Sequence, residues 1–406
     1  MLGDLKANPI VGALQGKISI KRLNLMDFRC YGFTRLETDG RPVVLTGPNG
    51  AGKTNLLEAI SYLVPGRGLR GARLNDVGRT HSGSDNYDND GHSGARRGWA
   101  VAAEINHYGK VIEIGTGLET GSEESARERR VIMINGNKDK TQSELGKYTS
   151  ALWLTPQMDR LFMEGASGRR RFVDRLVLGI DPDHASSVSA YEHSMRSRNK
   201  LLKEGARDNE WLTSLEDTMA RYGVAVVAQR MEVVTQLNHL ALQETKPFPG
   251  AQMAMKGPVE TWLEKFPAID VEEMLRFSLA NSRTIDSEAG GACIGPHKSD
   301  YSVQHVPSGA DADQCSTGEQ KALLVRIILA ATLLQVRARG RAPLLLMDEI
   351  SAHLDAMRRG TLFDMISNMG VQAWMTGTDE QMFQSLGNRV QRFNIVNAKV
   401  KRIALD

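Results

Sequence analysis

The sequence has only three cysteines, at positions 30, 293 and 315. They are too few and too scattered for a disulfide framework, and no CxxC pair offers a zinc site. A reducing, cytoplasmic setting is expected. There is no long hydrophobic run either: the most apolar stretch, residues 323–336, is broken by Arg326. It falls short of the roughly 18–20 uncharged residues of a membrane helix. The first residues carry no apolar core of a secretory signal, so neither export nor a membrane span is expected. Charge of one sign is not in excess, since 51 Lys+Arg against 48 Asp+Glu leave +3. Any basic surface must therefore come from local distribution rather than from the total. With 41% hydrophobic and 24% charged residues the chain is not a disordered one. Its 406 residues suit two to three domains of roughly 100–200 residues each, and no repeat of fixed period is visible.

What is present alternates between two patterns. Residues 17–25 and 43–46 read as strands, with a helix expected to start at residues 52–54. Residues 80–98 are rich in Gly, Ser, Asn and Asp without periodicity and read as a loop or insertion, in which His81 and His92 are expected to be solvated. Residues 99–106, 110–118 and 130–135 alternate as a small antiparallel sheet. From residue 158 to about 242 the pattern turns helical and charged, as an arm or lid, without heptads that would make a long coiled coil. Beyond the glycine-rich residues 287–296, strands expected near 301, at 344–347 and at 372–375 alternate with helices at 318–337 and 357–368. That order predicts a parallel sheet covered on both faces.

Three motifs carry chemistry. Gly47, Pro48, Asn49, Gly50, Ala51, Gly52, Lys53 and Thr54 fit GxxxxGK[ST] between an expected strand and helix, the context a phosphate-binding loop requires. The glycines let backbone N–H groups turn toward phosphates, Lys53 reaches the β and γ oxygens, and Thr54 offers a hydroxyl to Mg²⁺. The second motif is the apolar run 344–347, which ends in Asp348 and Glu349, at the carboxyl end of a strand where parallel α/β sheets collect ligands. Asp348 suits Mg²⁺ through water, and Glu349 suits the orientation or deprotonation of a water attacking the γ-phosphate. A plain strand followed by a polar helix entry is the alternative. In the third, Ser316, Thr317, Gly318 and Glu319 lead into an apolar helix. They read either as an ordinary N-cap with an acid in the first turn or as a phosphate contact reaching a second subunit's nucleotide.

In order and spacing, GPNGAGKTNLLEAI, the Gln157 in WLTPQMDRLF, STGEQKALL, LLLMDEISAHLD and the late TGTD resemble the P-loop, Q-loop, signature, acidic strand and D-loop of ABC-type ATPases. LNLMDFRCY, GRGLRGARLNDV, GASGRRRFVDR and GPHKSD make the resemblance closest to the RecF branch, beside the SMC proteins. The resemblance implies an α/β fold, an ABC-type ATPase head with a parallel and an antiparallel sheet, interrupted by a helical arm or lid. The division it suggests is 1–165 for the N-terminal lobe, 166–290 for the arm and 291–406 for the C-terminal lobe. It implies ATP and Mg²⁺ as ligands, and an ATP-dependent homodimer that grips single- and double-stranded DNA at gaps and junctions. It further implies weak DNA-dependent ATPase activity and work with RecO and RecR to load RecA. Carried over by position, Gln157 senses the γ-phosphate and joins Thr54 and Asp348 at the metal. Ser316 and Gly318 contact the opposite subunit's nucleotide, and Ser351 and Asp355 belong to the D-loop.

Two departures stand out. Met375-Thr376-Gly377-Thr378-Asp379 has no switch histidine, and hydroxyls cannot supply its positive charge, so slow turnover is expected. The signature lacks the usual leucine and second glycine. For DNA, Arg67, Arg70 and Arg73 after the P-loop helix and Arg196, Arg198 and Lys200 on the arm are the candidates, and Arg169, Arg170 and Arg171 are equally suited to pairing with buried acids. Two other functions fit parts of this pattern: a transporter-type ATPase subunit, and a DNA-binding module with a vestigial ATPase.

Overall fold

The computed structural model describes residues 18–79, 98–119, 129–205, 208–243, 245–349 and 354–403. The expected loop at 80–98, with His81 and His92, lies almost wholly outside the described residues, as does Ser351. The chain folds into two compact units, Met1–Pro156 with Gln335–Asp406, and Gln157–Leu334.

The first unit contains β1 (Ser19–Phe28), β2 (Tyr31–Glu37), β3 (Val43–Thr46), α1 (Lys53–Ser61), β4 (Ala100–His107), β5 (Lys110–Glu119), β6 (Arg129–Ile134), α2 (Gln142–Tyr148) and β7 (Ala151–Leu154). The second contains α3 (Ala166–Leu178), α4 (His184–Lys203), α5 (Asn209–Ala241), β8 (Ala251–Lys256), α6 (Pro258–Leu263), α7 (Ala268–Asn281), α8 (Arg283–Ala289) and β9 (Asp300–His305). Helix α9 (Thr317–Arg339) leads back to the first unit, which ends with β10 (Leu344–Met347), α10 (Ala356–Asn368), β11 (Ala373–Gly377), β12 (Gln391–Val396) and β13 (Lys399–Ile403).

Two sheets build the first unit. One is antiparallel, ordered β2-β1-β4-β5-β6; the other runs β13-β12-β3-β11-β10-β7, with β12, β3, β11, β10 and β7 parallel. All four residues of β3, of β7 and of β10 are buried, as strands covered on both faces must be. Helix α1 touches β1 of the first sheet and β10 and β11 of the second. The two sheets are also stitched by Gln372, whose fully buried amide accepts from Ile20 N at 2.8 Å and donates to Ile20 O at 3.2 Å. It does so beside the β1 bulge, where pairing with β4 shifts register between Ile20 and Arg22 and strand partners are lost.

The second unit is mainly helical, with β8 and β9 as an antiparallel pair. The strand expected near residue 301 therefore joins β8 and not the parallel sheet. The expected arm at 166–290 lies within this unit together with residues 291–334, which the sequence division places in the C-terminal lobe. The physical reason is pairing: β9 is built on β8, and Arg169 of α3 clamps Asp300 through Nε at 2.7 Å and Nη2 at 2.9 Å.

Buried charges tie the helices together. Asp174 accepts from Arg230 Nε at 2.7 Å and Nη2 at 2.8 Å, and from His184 Nε2 at 2.8 Å. Burial opposes its ionisation, but the His184 hydrogen bond and the Arg230 charge outweigh it and hold the carboxyl below its usual range. A depressed carboxyl stabilises the fold above the unfolded value, roughly pH 4, and loses that contribution as pH falls through the folded value. Asp174→Asn is expected to cost about 3–5 kcal/mol at neutral pH. The difference from wild type, followed by urea unfolding, is expected to shrink as pH falls below roughly 4, where the unfolded carboxyl takes up its proton, and to vanish below the lower folded value.

Candidate nucleotide site

The site is assembled at the carboxyl ends of β3, β11 and β10. Register explains it: Met347 lies opposite Met375 and Leu45 opposite Thr376, so the residues that follow β10 arrive beside β11 and the loop leaving β3. Within that loop Gly47 has φ 145°, and a Cβ there would stand 2.1 Å from the Ile395 carbonyl of β12. Gly52 has φ 114°, and a Cβ would meet the Tyr31 hydroxyl at 2.5 Å and the Cys30 sulfur at 2.9 Å. Glycine is required at both positions by conformation and by space. The loop is further held by Ala398 N, which donates to Ala51 O at 3.2 Å from the β12–β13 turn, and by the Tyr31 hydroxyl, which donates to Gly52 O at 3.0 Å.

Lys53 is 5% exposed, and its Nζ donates to Gly47 O at 2.6 Å and Pro48 O at 2.9 Å. Its ammonium bridges its own loop. Burial lowers its pKa from the ordinary lysine value, while the charges of Glu349 and Asp348 oppose the shift. The Thr54 hydroxyl stands 3.0 Å from both carboxylate oxygens of Asp348, which is 6% exposed. A hydroxyl and a carboxylate brought together at a phosphate loop form the hard-oxygen donor set that Mg²⁺ takes, so the residues present fit the ion.

The Thr376 hydroxyl donates to Asp348 Oδ1 at 2.7 Å and accepts from the Glu349 backbone N–H at 2.8 Å. Glu349 adopts φ 47°, a conformation uncommon outside glycine, and is half-buried. Thr376 thus pins both acids, a role that its place in TGTD did not announce. Thr376→Val keeps the shape and removes the hydroxyl. It is expected to slow ATP turnover about tenfold to a hundredfold by misplacing the acids, with Thr376→Ser restoring most of the rate in steady-state hydrolysis assays. Thr378 is exposed, and Asp379 accepts from Gln381 N at 2.8 Å as a helical cap.

The other residues singled out by sequence belong to the second unit or to the surface. Gln157 is exposed in the turn Pro156–Arg160 that follows β7. Ser316 caps α9: its N–H donates to Glu319 Oε2 at 2.9 Å, its hydroxyl donates to the same oxygen at 2.7 Å, and the Glu319 N–H donates back to that hydroxyl at 3.4 Å. That reciprocal arrangement is a capping box, and Gly318 lies in the first turn it closes. Asp355 caps α10 by accepting from Arg358 N at 2.7 Å.

Of the basic candidates, Arg67, Arg70 and Arg73 are exposed. Arg70 turns back onto α1, where Nη1 donates to the fully buried Glu58 at 2.9 Å and to Asn55 Oδ1 at 3.0 Å. Arg29 closes on the same Glu58 from the β1–β2 turn at 2.6 and 2.9 Å, a pairing without any local sequence signal. Arg196 and Lys200 are 62% and 76% exposed, Arg196 near Glu192 of the same helix and Lys200 near Glu204 just after it. Arg198 overturns the expectation: it is fully buried, bonded to Glu216 at 2.9 Å and Asp286 at 2.7 Å, and has no face for DNA. Arg169 and Arg170 are structural, the latter donating to Ser299 O at 2.7 Å, and Arg171 is exposed. Among the described residues, no helix is long and apolar enough to cross a membrane.

Comparison with known proteins gives one consistent family. The profile described as RecF/RecN/SMC N terminal domain matches residues 19–402. The DNA replication and repair protein RecF of Rhizobium leguminosarum bv. trifolii is 46% identical over 386 residues, 95% of this chain and 99% of that protein. The protein of the same name from Allorhizobium ampelinum is 48% identical over 377 residues, 92% and 96% of the two chains. A solved structure described as the recombination mediator protein RecF-ATPrS in the RecFOR pathway superposes with a TM-score of 0.78 at 22% identity, covering 95% of this chain and 98% of that one. A second, described as RecF-ATP in the same pathway, also reaches 0.78, at 21% identity, covering 95% and 99%. These two likenesses establish the fold.

Proposed function

Because this chain belongs to the RecF family within the RecF/RecN/SMC group, we propose that it is a DNA replication and repair protein whose grip on gapped or junction DNA is controlled by ATP. The observation that carries the reading is the chain of contacts Thr54–Asp348–Thr376–Glu349 beside the phosphate loop. ATP occupies residues 47–54, with backbone N–H groups and Lys53 around its phosphates. Thr54 and Asp348 would hold Mg²⁺, and the ion would supply charge neutralisation on the phosphate oxygens. Lys53 exchanges the Gly47 and Pro48 carbonyls for phosphate. Glu349 orients the attacking water and accepts its proton, and with no cationic side chain at Thr378 turnover is slow.

Ser316 and Gly318 of a second copy complete the site, so ATP favours the dimer by its differential affinity for that state. The dimer clamps DNA, acts with RecO and RecR in loading RecA, and opens when hydrolysis removes the bridging γ-phosphate. Exposed Arg67, Arg73, Arg196 and Lys200 are the DNA contacts of this reading. Binding of gapped duplex, measured by fluorescence anisotropy, is expected to require ATP and to fall steeply between 50 and 200 mM salt, about tenfold or more for a few phosphate contacts. ATP-independent or salt-insensitive binding would contradict it.

A further inference from the structure

Asn-Gly occurs twice in the sequence, at 49–50 within the nucleotide loop and at 135–136. The pair is chemically labile, because glycine has no Cβ to keep its backbone nitrogen away from the preceding side-chain amide. Within a fold, lability depends on whether that nitrogen and that amide are free to meet.

The two pairs are held differently. Asn135 and Gly136 form a tight hairpin turn, closed by Ile134 N to Asn137 O and Asn137 N to Ile134 O, both at 3.0 Å. Asn135 Oδ1 accepts from Glu113 N at 2.9 Å, and Asn135 N donates to Glu113 O at 2.9 Å, so side chain and backbone are both pinned. Asn49 and Gly50 are the central residues of a turn closed by Ala51 N to Pro48 O at 3.2 Å, with Gly50 at φ 78°. Both are exposed, and among the described residues neither the Asn49 side-chain amide nor the Gly50 N–H has a hydrogen-bond partner. Apart from its chain neighbours, no atom stands within 4 Å of where a Gly50 Cβ would be, so the space that ring closure and water need is open.

We propose that Asn49 is a site of spontaneous deamidation, open while the loop is empty and shielded when nucleotide occupies it. The Gly50 nitrogen bonds to Asn49 Cγ as the Cγ–Nδ2 bond breaks, and ammonia leaves with the Gly50 amide proton. Water then opens one of the two C–N bonds of the cyclic imide, leaving aspartate or isoaspartate at 49. Either product puts a carboxylate where phosphates are to sit, a juxtaposition of like charges, and isoaspartate also lengthens the backbone of the turn. Nucleotide shields the site because its phosphates engage the N–H groups of the loop, and the Gly50 nitrogen is the one that must attack. The shielding rests on the function proposed above; the lability rests on the turn itself.

The test incubates the full-length protein in mildly alkaline buffer, with and without replenished ATP and Mg²⁺, beside the Lys53→Met variant. Peptide mapping reads aspartate and isoaspartate at 49 and 135, and a fluorescent-nucleotide titration follows ATP binding in the same samples. Without nucleotide, residue 49 is expected to convert about tenfold or more faster than residue 135, and ATP-binding capacity is expected to fall in step with it. ATP at about a hundred times its wild-type Kd leaves about one loop in a hundred empty, so it is expected to slow conversion of wild type about tenfold or more. In Lys53→Met, with affinity lower by about a hundredfold, the same ATP is expected to slow it only about twofold. Conversion at 49 no faster than at 135 would overturn the site, while ATP binding in the titration would leave the function proposed above standing. Conversion at 49 that ATP does not slow would overturn the shielding, and a titration showing no ATP binding would take that function down with it.

Discussion

Lys53→Met is expected to weaken ATP binding on the order of a hundredfold. A hydrogen bond to a charged group contributes about 1.5–3 kcal/mol, and about 1.4 kcal/mol is tenfold in affinity. Lys53 is also the residue that braces the loop, through Gly47 O and Pro48 O, before any phosphate arrives. Methionine has nearly the same length and packs into the same buried channel, so the fold is expected to survive. A fluorescent-nucleotide titration checks the affinity, and thermal unfolding checks the fold. Unchanged affinity would remove the loop from nucleotide binding.

Glu349→Gln is expected to do the opposite of trapping the empty state. It preserves shape and the backbone N–H bond to Thr376 but removes the carboxylate that takes a proton, so turnover is expected to fall about 10²- to 10⁴-fold. ATP affinity is expected to stay near wild type, since Lys53, Thr54 and Asp348 are untouched. Single-turnover hydrolysis and equilibrium binding separate the two quantities. A rate indifferent to this change would favour a DNA-binding module with a vestigial ATPase.

The turn at 47–54 between a buried strand and a helix was legible because its residue types stand at the spacing a phosphate-binding loop requires, and Asp348 because a short apolar run bounded by acids reads as a buried strand end. Contacts across strands were not legible in this way. Thr376 meets Asp348 from 28 residues away, and Gln372 meets Ile20 from 352; sequence periodicity carries no signal for either. Arg198 was misread for a reason its own helix supplies. At about 100° per residue, positions 196 and 200 share one side while 198 faces the other. Its partners, Glu216 and Asp286, lie 18 and 88 residues away. The strand at Asp300–His305 was found, but its partner was not. Its strict alternation of buried and half-buried residues is the mark of a two-faced antiparallel pair, and β8 alternates buried with exposed residues in the same period. At Ser316 the structure shows the ordinary N-cap of the two readings, a capping box that takes up N–H groups of the helix entry.

The central claim is that ATP joins two copies of this chain around DNA. It is tested most directly by the solution mass of the Glu349→Gln protein, measured by light scattering with and without ATP and Mg²⁺, in the presence and absence of gapped duplex. The account predicts that ATP with Mg²⁺ doubles the protein mass and that gapped DNA promotes the shift. A protein that stays monomeric under every one of these conditions would contradict it.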